Sequence, residues 1–199
     1  MTIPSVDSFD YAKKILEGNE EKILARLSAA RVPQFTPDYH IEAPLFRLRI
    51  SVGTLQHFFL EKREDVFVVV CSKDTDFYLS ETQNTLRTII EQILMGEAKR
   101  VLLPMLAKIA SRVGMSYHQG QVRNMHSRWG SCSARRDISL ACYLLLLPIP
   151  LIEYILIHEL CHIREMNHSP RFWALVDGFL SGTTSKELRE QLKAYRCSL

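Results

Sequence analysis

The sequence predicts a single α+β domain in which a small β-sheet packs on one buried helix, preceded by a helical extension over residues 1–40. Three observations carry that expectation. Short runs of alternating and β-rich residues lie between 45 and 70, long stretches at helical spacing follow from about 80, and the segment 151–166 is apolar on nearly every face. With 199 residues, 47% of them hydrophobic, the chain is long enough to bury a substantial core.

The elements follow in order. Tyr11, Ile15, Ile23, Leu24 and Leu27 form an amphipathic stretch before the turn formers Pro33, Pro37 and Asp38. The alternation of Phe46, Leu48 and Ile50 with Leu45, Arg47 and Arg49 predicts a strand. His57–Leu60 and Val66–Val70, joined through Lys62-Arg63-Glu64-Asp65, predict a hairpin with a charged turn. Ser80-Glu81-Thr82-Gln83 has the pattern of a capping box, and Leu86, Ile89, Ile90, Ile93 and Leu94 continue it as a helix. Pro104 is expected to close that helix and open a second one, which stops at Gly114. Val122–Trp129 and Ile138–Leu140 read as strands flanking a polar loop, Gly130–Asp137. The last strong element is the helix from about Leu151 to Met166, and a helix apolar all round is a buried one.

Charge and cysteine usage narrow the class. The 25 basic and 22 acidic residues nearly cancel, and no aromatic–basic stripe appears, which argues against nucleic acid as a partner. The five cysteines are odd in number and never form a C-x-x-C pair, as expected of reduced thiols in a cytoplasmic protein. Met1–Asp7 lacks the basic and apolar regions of a signal peptide, and the apolar stretch Ile138–Ile152 is broken by two prolines, so neither export nor membrane insertion is expected.

The buried helix carries His158-Glu159-Leu160-Cys161-His162. Residues four apart share a helix face, so both imidazoles can converge on one ion while Glu159 stands beside them. H-E-x-x-H is the zinc-hydrolase pattern, with two histidine ligands and a glutamate base. Its chance expectation in this composition is only about 0.02. Two imidazoles and a carboxylate inside an apolar helix also need partners to offset their desolvation. A catalytic zinc holds three protein ligands. His168 is the choice for the third, separated from His162 by five residues as in the metzincin pattern, with the metzincin glycine replaced by Glu165. Asn167 in a left-handed conformation and Pro170 would end the helix before it. Asp177, Glu165 and Glu187 are the rivals. Imidazole sites also accept nickel and other divalent ions.

Four motifs in fixed order, Arg128-Trp129-Gly130-Ser131-Cys132-Ser133, Ile138-Ser139-Leu140, Tyr154–His162 and Asn167–Trp173, resemble the YgjP-like (DUF45, WLM-related) zinc metallopeptidase family over about 122–176. The resemblance implies a compact zincin-like domain over 41–199, with one Zn²⁺ held by His158, His162 and His168 and Glu159 as catalytic base. Two positions depart from the family pattern: His126 stands where lysine is usual and Ala141 where asparagine is usual, which bears on substrate contacts rather than on the metal. Arg128 and Ser131 are candidates for contact with substrate or with developing negative charge. Trp129 and Cys132 read as core residues, and Phe172 and Trp173 as anchors for His168.

The chemistry expected is zinc-dependent hydrolysis, first of an extended polypeptide. The first alternative is nucleotide or phosphate-ester hydrolysis, with Arg123, Arg128, Arg135 and Arg136 holding phosphates. The second is a DNA-associated factor that processes or binds nucleoprotein.

Overall fold

In a computed structural model of the chain, residues 35–54 and 56–199 are described; of the expected helical extension over 1–40, residues 1–34 lie outside them, and 35–40 form a turn and the start of a strand rather than helix. The described residues form one compact unit, a mixed α+β arrangement of two small sheets and four helices.

The first sheet contains β1 (His40–Ala43), β2 (Phe46–Gly53), β3 (Phe59–Arg63) and β4 (Val66–Ser72) in the order β1-β2-β4-β3. β2 shows the predicted alternation: Phe46, Leu48 and Ile50 are buried while Arg47 and Arg49 face solvent. β3 and β4 form the predicted antiparallel hairpin, but its turn needs only Glu64 and Asp65, because Glu64 adopts a positive φ of 56°. β2 and β4 pair in parallel. β1 lies just ahead of the strand expected from Leu45, in a stretch for which the sequence predicts no strand.

α1 (Ser80–Arg112) runs unbroken for 33 residues. Two expectations fail here. Pro104 sits inside the helix rather than between two helices. The fully buried Leu102 and Leu106 bracket it, and their packing offsets a local cost of about 3 kcal/mol. The capping box is not formed either: the N-cap is Leu79, with no side-chain bond. Gln83 instead serves Phe35, its Nε2 donating to Phe35 O at 2.9 Å and its Oε1 accepting from Phe35 N at 2.8 Å. Phe35 is wholly buried, so its backbone groups need such a partner. Gly114, at φ 64°, follows the helix end as predicted.

The second sheet has the order β5-β7-β6, with β5 at Gln119–Arg123, β6 at Gly130–Cys132 and β7 at Asp137–Ala141. Here the sequence misled at both ends. Residues 124–129, read as strand, form a loop, and Gly130–Cys132, read as loop, form an edge strand paired antiparallel to β7 through Gly130↔Leu140 and Cys132↔Ile138. A three-residue strand of small side chains exists because β7, buried along most of its length, supplies the pairing.

A 3₁₀ segment (Cys142–Leu146) leads into α2 (Ile149–Cys161), whose residues from Leu151 are almost all buried, as the all-round apolar pattern requires. α2 ends five residues before Met166, with His162 as its C-cap. α3 (Pro170–Asp177) and α4 (Ser185–Leu192) complete the unit. α3 starts on Ser169, whose hydroxyl accepts from Phe172 N, with Pro170 in the first turn. One continuous apolar core joins both sheets, α1, α2 and Phe172.

Candidate metal centre

His158 and His162 lie one turn apart near the end of α2, and the chain then folds back so that His168 meets them. His158 Nε2 stands 3.3 Å from His162 Nε2 and 3.1 Å from His168 Nε2. All three ligand nitrogens lie within 4.8 Å of one another. Nitrogens held about 2.05 Å from a tetrahedral zinc would be about 3.3 Å apart, so the donor set fits such an ion without rearrangement at His158.

The fold-back has an identifiable cause. Ile163 N bonds to Leu160 O, and Arg164 N and Glu165 N both bond to Cys161 O, which turns the chain immediately after the helix. Glu165 O thereby reaches 3.1 Å from His162 Nδ1 and accepts its proton. That bond leaves the lone pair on Nε2, facing the other two rings. Asn167 does not take the left-handed conformation expected of it: among the described residues only Glu64 and Arg136 do so outside glycine. The tight turn is closed instead by Ser169 N donating to Asn167 O at 2.8 Å. His158 Nδ1 is buried and has no hydrogen-bond partner among the described residues, so its ring is oriented by packing against Phe172 (4.9 Å between centroids) and Tyr154 (5.9 Å). Burial, reinforced by the two neighbouring histidines, pushes His158 down to about 3 and keeps it neutral.

Glu159 is only 6% exposed, and burial lifts its carboxyl to about 7, a rise that Arg128 opposes. Its neighbour is Gly130 of β6. A Cβ on Gly130 would stand 2.7 Å from Glu159 Cγ and 2.8 Å from Oε1, so the edge strand lies against the carboxylate only because residue 130 has no side chain. The sequence reading took Gly130 for a turn residue and missed this contact.

An open cleft of about 470 Å³ runs over the three histidines and Glu159, lined also by Ser127, Arg128, Gly130, Ser131, Cys132 and Met166. Arg128 and Ser131, the candidates for substrate contact, both line this cleft. Cys132, expected in the core, lines the cleft, with its thiol raised to about 11 by burial and by Glu159. Arg123, Arg135 and Arg136 are not among the lining residues, which leaves one arginine in place of the four envisaged for phosphate. The loop bearing Arg128 is held from three sides. Asn124 Nδ2 donates to Glu91 at 2.9 Å, Tyr143 OH donates to the same carboxylate at 3.0 Å, and the Cys197 thiol donates to Met125 O at 3.0 Å and Arg128 O at 3.3 Å. The two unusual positions lie away from the cleft: His126 packs on Tyr143 and Ala141 is fully buried.

The carboxylate rivals are otherwise engaged. Asp177 accepts from Ser185 N at 2.7 Å, Glu187 completes a capping box with Thr184, and Glu165 contributes its backbone oxygen. Phe172 is fully buried and meets His168 edge-on at 4.9 Å, while Trp173 stacks on it at 5.3 Å and 20°, in keeping with their expected anchoring role.

Three convergent imidazoles beside a buried carboxylate in an open cleft define a metallohydrolase. The chain belongs to the YgjP-like family, a metallopeptidase domain, whose model matches residues 3–195. The fold is also similar to two crystal structures of metallopeptidase zymogens. One is Methanocaldococcus jannaschii jannalysin, at 19% identity over 47% of this chain and 94% of that one, with a TM-score of 0.42. The other is Pyrococcus abyssi abylysin, at 24% identity over 47% of this chain and 93% of that one, also with a TM-score of 0.42. No curated protein matches the chain.

Proposed function

We propose that this protein is a zinc peptidase that cleaves an extended polypeptide, with His158, His162 and His168 as metal ligands and Glu159 as general base. The observation that carries this reading is the convergence of the three Nε2 atoms next to the buried carboxylate of Glu159. Zinc on such a set supplies Lewis acidity toward water and the scissile carbonyl.

The residues of the chain do the rest. Glu159, buried beside the three histidines, takes the proton of the attacking water and returns it to the leaving amine. β6 is the edge of its sheet, so its unpaired backbone groups can bond to an extended substrate laid over the cleft. Arg128, exposed at the rim, and Ser131, half-buried within it, face the negative charge that develops on the carbonyl oxygen. The five cysteines are all free thiols, which supports a reducing, cytoplasmic setting. No helix among the described residues is long and apolar enough to cross a membrane.

Glu159→Gln tests the central assignment. It should hold stoichiometric zinc by metal analysis and lose hydrolysis of a fluorogenic peptide library by roughly 10²-fold or more. An active Glu159→Gln protein would exclude Glu159 as the base, and a metal-free one would show that the carboxylate serves binding instead.

A further inference from the structure

We propose that Arg189 of α4 is a positioning residue for the third histidine: it caps the Trp173 ring on which His168 stacks, and so sets how tightly the centre holds its metal. The inference rests on the ligand set proposed above.

The three histidines are not held alike. His158 and His162 project from buried α2, and His162 is fixed further by its bond to Glu165 O. His168 is exposed and lies in the irregular stretch between α2 and α3. Among the described residues the only polar atom within hydrogen-bonding distance of its ring is His158 Nε2, one of the nitrogens it must join around an ion. Among the described residues no outer hydrogen bond orients it, and the aromatic contacts with Phe172 and Trp173 hold the ring instead.

Phe172 is locked in the core, but Trp173 is only half-buried and needs support from outside. Arg189 supplies it: its guanidinium carbon stands 4.1 Å from the centre of the Trp173 ring. Among the described residues no carboxylate forms an ion pair with Arg189, so the indole is its principal partner. The helix that presents it is well anchored. Asp177 accepts from Ser185 N, and the Thr184–Glu187 capping box fixes the first turn of α4. Arg189, Trp173 and His168 thus form a chain of contacts from α4 to the ligand, in the place where metal-binding histidines ordinarily have a hydrogen-bonding partner.

Charge alone makes the opposite prediction. A guanidinium near the centre repels a dication, so removing it would tighten metal binding if repulsion were its main effect. If Arg189 acts by positioning, removing it weakens binding. The sign of the change separates the two.

The test measures zinc affinity of the full chain by competition with a chelator, together with the visible spectrum of the cobalt-substituted protein. Arg189→Leu should weaken zinc binding by roughly two- to fivefold, the range of an exposed cation–π contact, and alter the cobalt bands. The denaturation midpoint of the metal-free protein should stay near wild type, since Arg189 is exposed. Trp173→Ala should weaken binding at least as much, and adding Arg189→Leu to it should cost little more, because both act through one contact. Trp173→Phe replaces it in the cycle if the alanine variant does not fold. Unchanged or tighter zinc binding by Arg189→Leu overturns the proposal, as does full additivity in the double variant. His168→Ala is the control: if it binds zinc as tightly as wild type, the ligand set has failed, and the role of Arg189 falls with it for that separate reason.

Discussion

Replacing Gly130 by alanine adds one methyl group at the point where β6 meets Glu159. That methyl would stand 2.7 Å from Glu159 Cγ, 2.8 Å from Oε1 and 2.9 Å from Cδ. Carbon contacts are most favourable at about 3.5–4.0 Å, so about 1 Å must be found. β6 is bonded to β7 at Gly130↔Leu140 and α2 is packed in the core, which leaves the Glu159 side chain to move. Displacing a reacting group by about 1 Å costs on the order of 10²-fold in rate, or about 2.7 kcal/mol. Overpacking should also lower stability by about 1–3 kcal/mol. The expected Gly130→Ala protein is folded, binds zinc like wild type and hydrolyses a peptide library about a hundredfold more slowly, with most of the loss in kcat. Its crystal structure should show the carboxylate displaced. Wild-type turnover, or a Glu159 carboxylate unmoved beside the new methyl, would refute the reasoning.

Two further expectations concern stability. In the metal-free protein Glu159 keeps its proton up to about pH 7, whereas the unfolded chain releases it near 4.5. Its contribution is therefore complete below 4.5 and lost as pH rises through 7, by about 3 kcal/mol. Chelator-treated wild type should lose that much relative to Glu159→Gln across this window in urea unfolding. The low value of His158 is common to both proteins and cancels, and a difference independent of pH would contradict the assignment. Pro104 is exposed inside α1, about two turns before its end, so Pro104→Ala should raise stability by about 2–3 kcal/mol, as the Arg100 carbonyl gains a donor. A lower denaturation midpoint would mean that the packing of α1 depends on the proline.

What could be read from the sequence was whatever depends on spacing along one element. The period of two in β2, the period of 3.6 in α1 and the four-residue interval from His158 to His162 all survive into three dimensions, because each is a property of local geometry. The meeting of His168 with that pair was expected from its short interval, although the turn that delivers it uses Cys161 O and Ser169 N rather than a left-handed Asn167. Distant pairing left no such trace. Gly130-Ser131-Cys132 has the composition of a loop and becomes a strand only through β7, and Pro104 is a local breaker overruled by Leu102 and Leu106. Likewise nothing near Asn124 or Arg128 announces that Glu91 and Cys197, separated from them by 33 and 69 residues, hold that loop in place.

The contact between Gly130 and Glu159 also bears on how variation in this protein should be interpreted. Every other residue type has a Cβ, so no substitution at 130 is conservative, while Ser131 next to it has no such constraint. A saturation scan would show position 130 as intolerant as a metal ligand, and without the coordinates it would be counted among residues that perform chemistry. Its role is to leave room. Inactivating variants at this position should therefore be recoverable by second-site changes that retract β6, whereas changes at the proposed ligands His158 and His162 should have no such suppressors.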